Sequence, residues 1–200
     1  MDSKKVYLVQ INVTYSKAIA YLPYAAGCLA AYAWNDDEIK QSYELAEILC
    51  IRHTLDESFA KIKDPAVIGF SCYVWNMEYN LTLARKIKQE YPDCIIVFGG
   101  HNIPFNTEVL ENEPCVDALI HGEGERCFVD FIKAADKNDF STLKNVSYRY
   151  NGEIIPATSG EGCLSLDEMP SPYTAGLFDK MIEDDGFLEH EEFCGNHYGT

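Results

Sequence analysis

The sequence lacks the long apolar run that a membrane helix needs. A bilayer-spanning helix takes about 20 consecutive apolar residues, and no run among these 200 residues approaches that length. The first residues, Met-Asp-Ser-Lys-Lys, lead directly into a strand-like segment and do not have the layout of a signal peptide. We therefore expect a cytoplasmic protein with no membrane partner.

Basic residues are scarce. Sixteen Lys and Arg face 32 Asp and Glu, which gives a net charge of −16. Residues 161–200 alone carry ten acidic residues and one Lys. Because nucleic acids and anionic lipids bind basic surfaces, this composition predicts that neither is a partner.

Short metal-binding signatures are also missing. None of the eight cysteines forms a C-x-x-C pair, and the five histidines show no metal-ligand spacing. Most cysteines fall inside apolar segments, where a reduced cysteine packs as a small core residue. The sequence therefore predicts no metal site.

Several ligand-binding and catalytic motifs are absent as well. No strand is followed by the G-x-G-x-x-G fingerprint of dinucleotide-binding folds, and no G-K-[ST] phosphate loop or G-x-S-x-G elbow occurs. The acidic cluster of a phospho-acceptor receiver domain is missing after the first strand. These absences argue against nucleotide, flavin and serine-hydrolase chemistry.

What the chain does contain is an alternation of strand-like and helix-like segments. Strands are predicted at 5–12, 66–71, 95–98 and 116–120, and helices at 24–34, 55–62, 78–89 and 124–135, with one helical turn at 107–110. Residues 39–51 fit both patterns, and we place a short second strand there. Alternating units of this kind predict an α/β fold, a doubly wound parallel sheet of five strands with helices on both faces.

The carboxyl-terminal third has a different character. Asn151-Gly152 between strand-like runs at 146–149 and 153–155 predicts a β-hairpin. We therefore divide the chain into an α/β domain at 1–140, a hairpin extension at 141–160 and an acidic linker or tail at 161–200. The tail has the character of a linker, but no folded element follows it in this sequence. We therefore expect the chain to be a fragment of a longer protein.

Three strand ends are candidate ligand loops, because ligands of open α/β sheets bind at the carboxyl ends of the strands. Gly99-Gly100 ends a strand expected to be buried on both faces, so a ligand could approach its backbone closely. Ser71 could bind a ligand or cap a helix, and Tyr73 and Trp75 could line a site or pack on a helix. Glu123 could contact a ligand or favour a helix dipole.

The segments I-G-F-S-C-Y-V-W-N, I-I-V-F-G-G-H-N-I-P and D-A-L-I-H-G-E-G-E, in that order, resemble the cobalamin-binding domain at the front of many radical S-adenosylmethionine enzymes. The early Y-L-P-Y-A-A-G-C-L-A-A-Y and the later L-D-E-M-P-S-P-Y are similar to that family too. The resemblance implies a flavodoxin-like (Rossmann-like) fold with strand order 2-1-3-4-5. It also implies that cobalamin, with its nucleotide tail between the central loops, contacts Asn12, Tyr21, Leu22, Ser71, Cys72, Tyr73, Trp75, Asn76, Gly99, Gly100, His101, Pro104, Gly122, Glu123, Gly124 and Glu125.

The chain departs from this family in two places. Many cobalamin domains carry D-x-H-x-x-G after the first strand, with the histidine on cobalt, whereas this chain reads N-V-T-Y-S-K. The resemblance to the radical-enzyme branch therefore implies cobalamin without a protein histidine ligand. The C-x-x-x-C-x-x-C motif is absent, so the [4Fe–4S] cluster and S-adenosylmethionine are expected only in a separate catalytic domain of the parent chain.

Two alternatives remain open at this stage. The chain could be a docking domain that has lost cobalamin, with Tyr15 and Tyr21 filling the vacant site. It could instead be a small-molecule enzyme that uses Glu123 or His101 as acid or base. A groove that opens onto Gly99-Gly100 would favour binding, whereas a buried Glu123 would favour catalysis.

Overall fold

A computed structural model describes residues 3–13, 21–160 and 165–184. One seven-stranded sheet forms its centre, in the order β2-β1-β3-β4-β5-β6-β7. The first five strands are parallel, and the last two join the edge as an antiparallel hairpin. The strands are β1 Lys4–Val9, β2 Tyr43–Leu49, β3 Pro65–Ser71, β4 Ile95–Gly99, β5 Ala118–Ile120, β6 Val146–Tyr150 and β7 Glu153–Ile155.

Helices cover both faces of this sheet. They are α1 Tyr24–Ala33, α2 Asp37–Ser42, α3 Leu55–Lys61, α4 Met77–Glu90, α5 Glu108–Asn112, α6 Gly124–Lys137 and α7 Asp179–Asp184, with one 3₁₀ turn at Leu166–Glu168. Among these helices in the described ranges, none is long and apolar enough to cross a membrane.

The alternation of side chains along the buried strands produces two cores. On β1, Val6 and Leu8 pack on the side of α1 and α6, whereas Tyr7 and Val9 pack on the side of α4. Successive residues of a strand point to opposite faces, so a strand covered on both sides is apolar throughout. The same alternation decides which residues reach the candidate site.

The predicted α/β fold class and the order of the first five strands are confirmed. The strand count is seven rather than five, because the hairpin pairs with β5 (Leu119 opposite Ser147) and continues the same sheet. Residues 39–51 fitted both patterns because they contain both elements, the end of α2 and then β2. The first strand stops at Val9, three residues before its predicted end.

Local signals explain where several elements start and turn. Thr54 and Glu57 form a reciprocal capping box at the start of α3. Asn151 and Gly152 take positive φ values of 50° and 84° in the hairpin turn. All six cysteines in the described ranges are free thiols and are buried or half-buried.

The described part of the tail packs against the α/β layers. Phe178 is 1% exposed and lies where a Cβ on Gly27 of α1 would come within 2.4 Å of its ring. Gly27 thus allows close packing between α1 and the tail. The domain boundaries at residues 140 and 160 remain a prediction.

Candidate functional site

A groove of about 400 Å³ lies at the carboxyl ends of β3, β4 and β5, on the face that carries α1 and α6. Strand ends form its floor, and the first turns of the two helices form its walls. Its lining residues are Leu8, Ala25, Ala26, Leu29, Gly69, Phe70, Ser71, Tyr73, Val97, Gly99, Gly100, His101, Ile120, Gly122, Glu123, Gly124, Glu125 and Phe128.

Gly100 is the residue that lets two strand ends meet under the groove. Its φ is +98°, and a Cβ there would lie 3.0 Å from both the backbone N and O of Cys72. The Cys72 N–H donates to Gly99 O at 2.7 Å, and the Asn102 N–H donates to Cys72 O at 3.0 Å. Only glycine satisfies both the backbone conformation and this contact.

Unlike Gly100, Gly99 has enough space around it for a side chain. A Cβ on Gly99 would meet Ile120 at 3.6 Å, an ordinary contact distance. Ser71 lies on the same wall, with its Oγ 3.5 Å from the position of a Gly100 Cβ. The groove floor therefore combines exposed backbone with one hydroxyl group.

The loop after β3 is held by Asn76, which is fully buried. Its Oδ1 accepts from the Tyr73 N–H at 2.8 Å, and its Nδ2 donates to Ser71 O at 3.0 Å and Ile11 O at 3.3 Å. Asn76 thus ties the ends of β1 and β3 together. It shapes the groove without lining it.

Aromatic rings form the outer side of this loop. The Tyr73 and Trp75 rings stack with centroids 4.5 Å apart and planes 8° apart, and the Tyr73 and His101 centroids lie 5.7 Å apart. Tyr73 and His101 line the groove, whereas Trp75 lies behind Tyr73 and is 46% exposed. The rings leave Gly99-Gly100 open to the groove.

The third loop, residues 121–125, combines a buried histidine with an exposed carboxylate. His121 is 3% exposed, and its Nε2 lies 2.9 Å from Ser147 Oγ of the hairpin. Burial lowers the pKa of His121, because the imidazolium form would lose its hydration. Glu123 is exposed at the start of α6, which is not the buried carboxyl that an acid–base role would require.

Cys72 lies beneath the floor as an inert thiol. Burial raises the pKa of the Cys72 thiol to about 12. The hydrogen bond from the Asn80 side chain lowers this pKa, but by less than burial raises it. A thiol of this kind remains protonated at neutral pH, so its role is packing rather than nucleophilic chemistry. Across the described ranges, no group of three His, Cys, Asp or Glu side chains could hold a metal ion.

The structure brings nine of the predicted site residues to the groove and leaves seven outside its lining. The nine come from all three loops: Ser71, Tyr73, Gly99, Gly100, His101, Gly122, Glu123, Gly124 and Glu125. The other seven are Asn12, Tyr21, Leu22, Cys72, Trp75, Asn76 and Pro104. Tyr21 is 59% exposed and does not fill the groove. Tyr15 and most of the predicted loop around it lie outside the described residues.

Sequence reasoning missed the apolar half of the groove. Leu8, Val97 and Ile120 are strand residues, Ala25, Ala26 and Leu29 belong to α1, and Phe128 belongs to α6. These side chains look like ordinary core residues in sequence. The available signal was strand alternation, since Val97 and Ile120 point to the same face as a Cβ on Gly99 would.

Comparison with known proteins identifies the domain type. The profile of the B12 binding domain family matches residues 47–132, which contain β3, β4, β5 and all three loops of the groove. The match supports the resemblance noted in the sequence.

Two curated relatives extend the similarity along most of the chain. The 2-(S-pantetheinyl)-carbapenam-3-carboxylate methyltransferase of Streptantibioticus cattleyicolor is 34% identical over 90% of this chain and 26% of its own length. The cobalamin-dependent radical SAM methyltransferase TokK of Streptomyces tokunonensis is 32% identical over the same shares of the two chains. The present chain thus spans about a quarter of the length of these relatives.

The fold is also shared with a solved structure, that of the cobalamin-dependent S-adenosylmethionine radical enzyme OxsB. The TM-score is 0.63 at 21% identity, over 88% of this chain and 25% of that one. The chain is therefore similar to the B12 binding domain over residues 47–132, and along most of its length it is similar to one part of proteins described as a methyltransferase and as cobalamin-dependent radical S-adenosylmethionine enzymes.

Proposed function

We propose that this chain binds cobalamin in the groove at the carboxyl ends of β3, β4 and β5, as the cofactor-binding module of a radical S-adenosylmethionine enzyme. The observation that carries the proposal is that Gly99-Gly100 opens onto this groove. Its volume of about 400 Å³ and its mostly apolar lining are typical of a small-molecule site.

The residues present fit part of such a cofactor. Gly99 and Gly100 allow close approach of a ligand to the backbone, and the Ser71 hydroxyl offers a hydrogen bond. Ala25 and Leu29 of α1, which are half-buried, offer apolar surface for a flat heterocycle. We therefore assign the nucleotide tail of cobalamin to the groove.

When bound, cobalamin supplies the alkyl-transfer chemistry of its cobalt. The residues of this chain bury and orient the cofactor and exclude water from its tail. None of them is assigned a covalent or proton-transfer step.

We further propose that no histidine of this chain ligates cobalt. The sequence N-V-T-Y-S-K replaces the histidine motif after β1. His121 is engaged with Ser147, and His53 lies in a different groove, along β2. His101 lines the site, and it is therefore the histidine that a test must address.

The partner of this module would be a radical S-adenosylmethionine domain of the same parent chain. The name of the relative TokK and the fourfold greater length of both relatives support this proposal. The parent would act as a methyltransferase, with its [4Fe–4S] cluster and S-adenosylmethionine held outside this module. A cytoplasmic location and the lack of a nucleic-acid partner remain predictions from the sequence.

The alternative of a docking domain without cofactor is less well supported. It predicted a filled site, whereas the groove opens onto Gly99-Gly100. The acid–base alternative needed a buried Glu123, and that residue is exposed.

Co-elution with hydroxocobalamin tests the proposal. The chain is mixed with excess cofactor and passed through gel filtration, and the visible spectrum of the protein peak is recorded. We expect stoichiometric corrin absorbance. A folded protein peak without corrin would contradict binding by this module, and repetition with the full-length parent would show whether the catalytic half completes the site.

Electron paramagnetic resonance of the bound cob(II)alamin tests the axial-ligand proposal. We expect no nitrogen superhyperfine splitting, in the wild type and in His101→Ala alike. A splitting that disappears in His101→Ala would identify a histidine ligand. A splitting that persists in that variant would show that a nitrogen from another histidine or from the base of the cofactor remains on cobalt, and either source would contradict the proposal.

A further inference from the structure

Helix α1 forms one wall of the groove and is weak by its own sequence. Its N-cap is Pro23, without a side-chain cap hydrogen bond, and it has no acidic residue in its first turn and no basic residue in its last. Gly27 lies inside it, where glycine is less favourable than alanine. The helical structure of α1 must therefore be stabilised by tertiary packing.

The two sides of α1 have different partners. Ala25, Ala26 and Leu29 line the groove. Tyr24 and Gly27 lie on the opposite side, because residues three apart share one side of a helix. That side is covered by residues 172–178 of the tail, which we call the strap.

The strap is anchored by one aromatic side chain. Phe178 is 1% exposed, and its ring occupies the space that a Gly27 side chain would take, with Cζ 2.4 Å from the position of the missing Cβ. Tyr173 packs edge-on against Phe178 at 5.2 Å and tilted against Tyr24 at 6.0 Å. Pro172 completes the contact, 3.1 Å from the same Cβ position.

We infer that the strap holds α1 in place as the groove wall, and that Phe178 is a positioning residue for the cofactor without touching the groove. The inference rests on the proposed cobalamin site. A wall that is in place for only a fraction of the time lowers the apparent affinity by that fraction. The strap thus couples the chain beyond residue 165 to cofactor retention.

Two single variants and their combination test the shared contact. Phe178→Ala removes the anchor, and Gly27→Ala displaces it by the added Cβ. Each should increase amide hydrogen exchange along α1 and raise the cobalamin dissociation constant about tenfold, as expected when the wall is in place about a tenth of the time. If both act through one contact, the double variant should bind cobalamin no more weakly than Phe178→Ala alone, because alanine at position 27 then meets no ring.

Matched controls separate positioning from general destabilisation. Phe140→Ala removes a half-buried aromatic ring that stacks on Tyr148 of the hairpin, at 4.7 Å, away from the groove. It should lower stability without changing α1 exchange or the cobalamin dissociation constant. Phe178→Leu keeps an apolar anchor and should restore most of the retention.

Two results would overturn the inference. One is unchanged hydrogen exchange of α1 in both Phe178→Ala and Gly27→Ala. The other is a loosened α1 with the wild-type cobalamin dissociation constant, which would make the strap purely structural. If the wild type binds no cobalamin at all, the proposed function fails, and the exchange measurement still decides whether the strap holds α1.

Discussion

Backbone conformation and packing both require glycine at position 100. Its positive φ is unfavourable for any side chain, and the Cys72 backbone leaves no room for one. The sequence pattern singled out this glycine because two glycines follow a buried strand. It could not show that Cys72 is the neighbour, because that contact depends on the register of two parallel strands.

We predict that Gly100→Ala lowers the free energy of unfolding by about 2–4 kcal/mol, from backbone strain plus the clash with Cys72. The matched control is Gly152→Ala in the hairpin turn, where φ is +84° and no atom of the described residues lies within 4 Å of the added Cβ. The control should lose only about 1–2 kcal/mol. Equal losses of unfolding free energy in the two variants, measured by urea denaturation, would show that the contact with Cys72 does not affect stability.

His121 should make stability depend on pH. The unfolded imidazole titrates near 6.5, and burial lowers the folded pKa below that value. The unfolded chain therefore binds more protons below pH 6.5, so stability is present above this pH and is lost as the pH falls through the folded pKa. His121→Gln should flatten this part of the profile of unfolding free energy against pH.

His101→Gln is the control for that experiment, because it removes an imidazole from an exposed position. The slope between pH 7 and pH 5 should stay at its wild-type value in His101→Gln. A His121→Gln profile that is as steep as the wild-type profile would contradict the assignment. Nothing in the local sequence I-H-G-E predicted a buried histidine, since its burial follows from the hairpin that lies across it.

At the scale of elements, the hairpin is tied to the rest of the sheet through Arg149 of β6. Its Nε donates to Val116 O at 3.0 Å, and its Nη2 donates to Glu113 O at 3.3 Å and also to Leu110 O. Carbonyls at the end of α5 that lack helical partners are thereby satisfied. This bond set explains how β6 and α5, far apart in sequence, form one structure.

Arg149→Met should lower the free energy of unfolding by about 2–3 kcal/mol, because it leaves several carbonyls at a half-buried site without their donor. Arg126→Met is the control, since the contact of Arg126 recorded among the described residues is an exposed ion pair with Asp130 at 3.5 Å. It should cost about 0.5 kcal/mol or less. Similar costs in the two variants, measured by urea denaturation, would contradict a structural role for Arg149.

Elements were more predictable than their contacts. The spacing of apolar residues in the sequence located α3, α4 and β4 closely. Residues 39–51 could not be assigned to one element because a short helix continues directly into a strand at Tyr43. Neither the helical nor the strand periodicity of apolar residues is long enough there to be recognised. The hairpin was predicted from Asn151-Gly152, but its pairing with β5 depends on contacts distant in sequence.

At the scale of the whole molecule, the site arises because the parallel strands end at one edge. This arrangement followed from the alternation of strands and helices, and it placed the three loops together correctly. The apolar walls and the strap were not predictable, because α1, α6 and Phe178 reach the groove region only through tertiary packing. Half of the residues that line the groove could therefore be predicted from sequence motifs, and the other half could be identified only from the structure.

The most direct test of the account compares cobalamin binding by the wild type and by Gly99→Leu. A Cβ at Gly99 meets only Ile120, at 3.6 Å, so the variant should fold while its side chain occupies the groove. Glu153→Leu adds the same side chain to an exposed position on β7 and serves as the control. Circular dichroism checks folding, and titration with hydroxocobalamin gives the affinity.

We expect stoichiometric binding by the wild type and Glu153→Leu, and at least about a tenfold loss of affinity in Gly99→Leu, since the filled groove excludes the nucleotide tail. A folded Gly99→Leu that binds cobalamin as tightly as the wild type would contradict the central claim that this groove holds the cofactor.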